Sequence, residues 1–311
     1  MRPDQPSPRG ALLRYLPALD GLRAVAVMLV LNYHAFPDAM PGGFIGVDVF
    51  FVVSGFLITG LLLKGVEQHG YVSFLDFYIR RAKRILPAAT LTLVATIAAA
   101  YFLLNVVRAR AAIWDSVWAS LFAANVRFAE QGTDYFAQGQ PPSPIQHFWS
   151  LSVEEQFYFA WPAMLAIALF GVAIGSHTVG RRRARRGRPV VRTWARRRLL
   201  AVAVAVAVAS FSWSILQTSS DPTSAYFSTL TRAWELALGA ILAIVGSQIP
   251  RLPSLVQVAT GALGLAAIGV AAVTYSSTTP FPGYAALLPT LGTALVIVAG
   301  MRGIDAGAGR L

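Results

Sequence analysis

The chain contains no cysteine. Disulfides, thiolate nucleophiles and Cys-based metal sites are therefore excluded, while the redox compartment stays open. Charge is scarce too: only 13% of the 311 residues are charged, and just 14 are acidic. The histidines, His34, His69, His147 and His177, form no i,i+4 pair of the kind that grips zinc on a helix. No metal site is expected. The chain has no polar stretch long enough for a soluble domain and no short-period repeat. Ser54 lacks a G-x-S-x-G frame, which excludes a nucleophile elbow at that position.

What is present is mostly apolar. Hydrophobic residues make up 56% of the chain, and the mean hydropathy is +0.58. Soluble globular proteins do not show that balance. Several apolar runs approach the roughly 20 residues that cross hydrocarbon. The expected fold class is all-α: a polytopic membrane helical bundle of about eight transmembrane helices with a short interfacial helix. The spans fall near 16–36, 44–63, 86–106, 152–174, 199–216, 229–247, 254–273 and 284–301. Tyr71 to Arg84 is aromatic and then basic, which reads as the interfacial helix. Pro87 is placed to open the third span, since proline suits a first helical turn. Trp114 to Ala124 reads as a short apolar helix, and Gly132 to Pro144 as a loop. One membrane domain, 15–302, lies between tails at 1–14 and 303–311. The N-terminal apolar run is too long for a signal-peptide core and no A-x-A site follows it, so it is kept as the first span.

The net charge of +12 would suit nucleic acid, but its distribution points to topology instead. Arg2, Arg9, Arg14, Lys64, Arg80, Arg81, Lys83, Arg84, the arginine-rich segment 181–198, Arg251, Arg302 and Arg310 fall on one side of the eight-span scheme. Only Arg108, Arg110 and Arg127 fall on the other. The positive-inside rule then makes both termini cytoplasmic. The 181–198 segment would also attract anionic membrane lipid.

Against this background a few costly residues stand out. Arg23 and His34 share the first span, and their spacing corresponds to about three turns, which puts both on one face roughly 16 Å apart. Ionisable groups in a span usually face a protein interior or a wet cavity. Imidazole can serve as general base or nucleophile; the plainer reading of His34 is a satisfied side chain at a helix end. Asp48, at the outer end of the second span, is either an orienting partner for His34 or a carboxylate favoured by the helix dipole. Ser54-Gly55 suggests close helix packing. Arg80, Arg81, Lys83 and Arg84 follow Phe74, Phe77 and Tyr78, and serve either lipid anchoring or a polyanionic ligand gripped by Arg81 and Arg84. Ser152 to Glu155 fits a capping box; Glu154 faces Tyr158 one turn on and could do acid/base work or hold a substrate hydroxyl. Arg232 and Glu235, three apart, read as an internal ion pair, with Arg232 also placed to stabilise an oxyanion. Trp149 and Tyr158 join Arg232 as candidate substrate contacts.

Long stretches of the chain carry a family resemblance. YLPALDGLRAVAVMLVLNYHAF resembles the first span of the membrane-bound acyltransferase 3 family, with its Arg/Lys-x10-His pattern at Arg23 and His34. GGFIGVDVFFVVSGFLITGLL resembles its second span, and FYIRRAKRILPA its basic R-x-x-R segment at Arg81 and Arg84. HFWSLSVEEQFYFAWP and TRAWELALGAIL resemble two later signatures. The resemblance implies an O-acyltransferase of the bacterial cytoplasmic membrane. Its co-substrate would be acyl-CoA, with acetyl-CoA expected, and no cofactor would be bound permanently. The acceptor would be a hydroxyl of a cell-envelope glycan or glycolipid. His34 would be the base or transient acyl carrier, Arg23, Arg81 and Arg84 would hold the donor, and Glu154 or Glu155 would assist at the acceptor; Arg80, beside Arg81 in the sequence, is a further candidate donor contact. Members usually continue with about two more spans and a Ser-Leu-Tyr-Leu-Trp-His-type segment, and some carry an esterase-like soluble domain; the chain is expected to be C-terminally short relative to them. On the residues alone, a transporter or flippase with the same polar path, or an inactive scaffold, remains open.

Overall fold

The computed structural model describes residues 16–36, 38–69, 72–133, 135–136, 142–169, 193–250 and 252–301. The N- and C-terminal tails and most of the arginine-rich segment, through Arg192, lie outside them. The described residues form eleven α-helices and no strand. They are α1 (Pro17–Ala35), α2 (Gly46–His69), α3 (Phe74–Leu103), α4 (Val106–Ser120), α5 (Ala124–Glu130), α6 (Phe148–Ala168), α7 (Thr193–Ser220), α8 (Pro222–Phe227), α9 (Thr229–Val245), α10 (Ser254–Thr274) and α11 (Leu287–Gly300). Segments Gly43–Glu67, Phe74–Leu103, Trp194–Ser220, Pro222–Val245 and Ser254–Thr274 are long and apolar enough to cross a membrane; Leu287–Gly300 is apolar but shorter.

Helix α2 is the axis of the bundle. It packs against α9 along its length and also touches α1, α6 and α11. Its spanning segment is 78% buried, against 11% for α3 and 22% for α10. The close approach to α9 has a simple cause. A Cβ at Gly55 would overlap the Leu236 carbonyl, and one at Gly239 would overlap the Val52 carbonyl. Small residues at a crossing let two backbones meet, which is a main source of helix association where lipid is as apolar as the side chains. Gly264 and Gly292 do the same between α10 and α11.

The segment expected as a surface helix followed by a separate span is one helix, α3, with Pro87 in its interior. A proline removes a single donor from the ladder, and such interruptions are tolerated in spanning helices. The basic and apolar halves therefore run on as one rod. After the short link Leu104-Asn105, α4 turns back and packs along α3. The Asn105 side chain caps it by accepting from Arg108 N at 3.0 Å. At its end Ala123 N bonds Trp118 O (2.9 Å) and Phe122 N bonds Ala119 O (3.0 Å). That is a Schellman pair, with Phe122 in the left-handed position at φ +53° where glycine is usual. The chain then returns through α5. The α4–α5 pair is thus a helical hairpin, and the backbone polar groups at its tip, Leu121 to Ala123, need partners. Helix α6 supplies them: Gln156 Nε2 donates to Phe122 O at 2.9 Å, and Ala124 N donates to Ser152 Oγ at 3.2 Å.

Gly55→Val should separate α2 from α9 and cost about 1–3 kcal/mol or more. Gly269→Ala, where an added Cβ meets nothing within 4 Å, should be neutral. Thermal unfolding in detergent, followed by size exclusion, checks this; equal melting of the two variants would show that the crossing does not depend on Gly55.

Candidate active site

Three polar centres are strung along the bundle. The first is at the end of α1. His34 lies in the last turn and is exposed. Its Nδ1 sits 2.8 Å from the Val30 carbonyl oxygen. A carbonyl can only accept, so Nδ1 carries the proton and Nε2 of the neutral ring keeps its lone pair. Tyr135 meets His34 edge-on at 6.4 Å and stacks on Tyr33 at 6.1 Å. His147 precedes α6, close enough to His34 to sense its charge. Desolvation of its part-covered ring, and then His34, hold its imidazole below the usual histidine range. Burial raises the Tyr135 phenol well above the ordinary tyrosine value. Arg23 stays half-buried on α1, one face down from His34.

The second centre is buried charge. Arg232 Nη1 lies 2.8 Å from Asp48 Oδ1 and 2.8 Å from Glu235 Oε1, and all three side chains are 0% exposed. Arg232 Nε also donates to Tyr226 O at 3.3 Å. Four rings enclose the guanidinium: Phe281, Tyr226, Trp149 and Phe51 have centroids 4.9, 5.2, 5.6 and 5.9 Å away. Asp48 Oδ2, Glu235 Oε2 and Arg232 Nη2 have no hydrogen-bond partner among the described residues. Asp48 thus turns to Arg232, and the group that orients His34 is the Val30 carbonyl. The reason is charge: a buried carboxylate gains more from a guanidinium than from a neutral imidazole. The stacked pair Tyr135–Tyr226, 4.4 Å apart, bridges the first two centres.

The third centre joins α2, α3 and α6. Ser54 Oγ donates to Glu154 Oε1 at 3.0 Å, and Tyr158 Oη donates to Glu154 Oε2 at 3.3 Å. Arg81 bonds Glu155 Oε1 through Nη2 at 2.8 Å and lies 3.5 Å above the Tyr158 ring centroid. The capping-box expectation is corrected. Helix α6 begins at Phe148, so Ser152 and Glu155 are interior residues. Ser152 Oγ donates to Phe148 O, and Glu155 holds Arg81. The pull of Arg81 and the tip of the hairpin set these side chains, and neither is visible in local sequence. Arg81 also lines a cavity of about 440 Å³, together with Lys64, Asp76, Arg80 and Arg84 among others.

The structure therefore brings Asp48, Arg232, Glu235 and Trp149 together at one level. It brings Glu154, Glu155, Tyr158 and Arg81 together at another, with Arg80 and Arg84 beside them. Sequence reasoning missed His147, Tyr135 and Tyr226, because they lie in loops or a short helix with no periodic pattern. Among the described residues no group of three or more His, Asp or Glu could hold a metal ion.

The family described as an acyltransferase domain matches residues 16–308. A Bacillus subtilis protein named "Putative peptidoglycan O-acetyltransferase YrhL" is 36% identical over 238 residues, covering 75% of this chain and 33% of that protein. The peptidoglycan O-acetyltransferase OatA of Listeria monocytogenes is 34% identical over 240 residues, covering 75% of this chain and 34% of its own length. The chain spans about a third of the length of these curated relatives. No solved structure matches it. The matched segment takes in His34, Arg81, Glu154 and Arg232 alike, and on that extent the chain belongs to the acyltransferase 3 family.

Proposed function

We propose that this protein moves an acetyl or other acyl group from cytoplasmic acyl-CoA to a hydroxyl of a cell-envelope glycan or glycolipid. The observation that carries the reading is His34, an exposed imidazole whose Nδ1 is committed to Val30 and whose Nε2 is free to accept a proton. As a base it deprotonates the acceptor hydroxyl, which then attacks the thioester carbonyl. The C–S bond breaks and CoA leaves as thiol once protonated. As an acyl carrier it takes the acyl group first and passes it to the hydroxyl. The relatives' names supply the acceptor class: peptidoglycan is the glycan named for two of them.

In this reading the basic cavity receives the CoA phosphates. Arg84 and Arg80 are exposed along it and free to pair with anions, while Arg81 is shared with Glu155. The pantetheine arm runs past Arg81 and Glu154 toward Trp149 and the tyrosine stack, and Arg23 assists from α1. Glu154, held by Ser54 and Tyr158, steers the acceptor or its proton. Helices α1, α6 and α11 join the five long apolar segments to make eight spans of the bacterial cytoplasmic membrane, with both termini and the 181–198 arginines on the cytoplasmic side.

His34→Ala should lower acyl transfer from radiolabelled acetyl-CoA by about 10²–10⁴-fold, with unchanged expression and melting; a variant that retains full transfer sinks the assignment. Arg84→Ala should raise KM for acyl-CoA roughly tenfold and leave kcat nearly intact, as expected for a binding charge. Because the chain has no cysteine, a single cysteine beside Arg188 gives a clean topology probe. It should resist membrane-impermeant maleimide in intact cells and react after lysis; labelling from outside would reverse the orientation.

A further inference from the structure

His34 has a single free lone pair. Its Nδ1–H is committed to the Val30 carbonyl at 2.8 Å, so Nε2 is the ring atom left to attack or to accept a proton. If Nε2 takes the acyl group, His34 can no longer deprotonate the acceptor hydroxyl. A carrier at this position therefore needs a second base beside it. The groups around it narrow the choice. Asp48 is held by Arg232 and fully enclosed. Burial pushes the Tyr135 phenol up, so it stays protonated. Glu154 is bound by Ser54 and Tyr158, about two turns along α6 from its start, roughly 10 Å. His147 is better placed. It is the residue before α6, it is exposed, and it lies within electrostatic reach of His34. The Tyr135 ring joins the two positions: it meets His34 at 6.4 Å and Trp149, in the first turn of α6, at 6.3 Å. Among the described residues no hydrogen bond engages the His147 ring nitrogens. Its imidazole is held below the usual histidine range, so at neutral pH it keeps a lone pair for a proton.

We propose that His34 is the acyl carrier and that His147 is the catalytic base that discharges it. The proposal rests on the donor reading above and chooses between its two routes. Nε2 of His34 attacks the thioester carbonyl. The C–N bond forms, the C–S bond breaks, and the thiolate leaves and takes a proton from solvent. The carrier is an acylimidazolium that keeps its Nδ1–H on Val30. The acceptor oxygen then attacks the acyl carbon as its proton passes to His147. The C–N bond breaks, its electron pair returns to Nε2, and His147 gives the proton to solvent, replacing the one the thiolate took. Water is the smallest hydroxyl acceptor, and His147 activates it in the same way.

The test is rapid mixing of acetyl-CoA with the full chain in detergent, with released CoA read by a thiol reagent. The chain has no cysteine, so the reagent sees only CoA. Wild type should release CoA without any glycan acceptor, as a stoichiometric burst and then turnover as the carrier discharges to water or to added peptidoglycan fragments. His34→Ala should abolish the burst. His147→Ala should keep the burst and slow the discharge by about 10²–10⁴-fold. Added imidazole should restore part of that rate, which a merely structural role does not allow. Asp38→Asn, at an exposed carboxylate in the turn beyond α1, should behave as wild type. A wild type that releases CoA only when acceptor is present overturns this proposal alone and leaves His34 as the direct base. So does a His147→Ala variant that discharges at the wild-type rate or loses the burst, and so does a discharge defect that follows Asp38 instead. No thiol release under any condition overturns the donor reading as well.

Discussion

The bundle depends on one electrostatic constraint: two carboxylates with no solvent access share a single guanidinium as their only cation. Removing Arg232 would leave both carboxylates buried without a cation, and breaking a buried pair in this way costs about 3–5 kcal/mol. Arg232 is fixed by Asp48 from α2 and Glu235 from its own helix, and four aromatic faces exclude lipid from it. The cluster is possible only because Gly55 and Gly239 let α2 and α9 touch backbone to backbone. Packing and charge therefore enforce each other at the same crossing. Any shift in register that relieved one would break the other.

From that crossing the remaining polar groups arrange themselves toward two ends. On one side the tyrosines Tyr226, Tyr135 and Tyr33 carry an aromatic column to His34. On the other, Ser54 and Glu154 lead to Arg81 and the basic cavity. Helix α3 is attached to the body by a few directed contacts, Tyr78 to Phe159 and Arg81 to Glu155, together with its hairpin partner α4. Directed bonds with room between them are what leave the basic cavity beside Arg81 open; a fully interdigitated interface would have closed it.

Much of this was legible in the sequence. The helical class, the boundaries of most apolar helices, the close packing at Ser54-Gly55, the Arg232–Glu235 pair and the Glu154–Tyr158 contact all follow from local spacing. What could not be read were pairings between distant segments. Asp48 sits on the helix next to His34 in sequence, and only the third dimension shows that Arg232 is its partner. The Ser152–Glu155 pattern satisfies a capping rule, yet the helix starts a turn earlier, because α6 uses those side chains to hold the hairpin tip and Arg81. Pro87 looks like a helix start locally and is carried through by a long amphipathic rod. His147 and Tyr135 gain meaning only from the loop that brings them beside His34.

The pairing of Asp48 with Arg232 also sets a timetable. The two residues are separated by 184 positions. At a synthesis rate of about 5–20 residues per second, the ribosome delivers the arginine roughly 10–40 seconds after the aspartate. Through that interval α2 has left the exit tunnel with a carboxylate it cannot pair, and hydrocarbon is a poor place to wait. Helix α2, the most buried of the long apolar segments among the described residues, is therefore made well before the arginine that completes its polar contact. The buried cluster closes only once α9 has been synthesised, so the central crossing of the bundle is a late contact in an early helix.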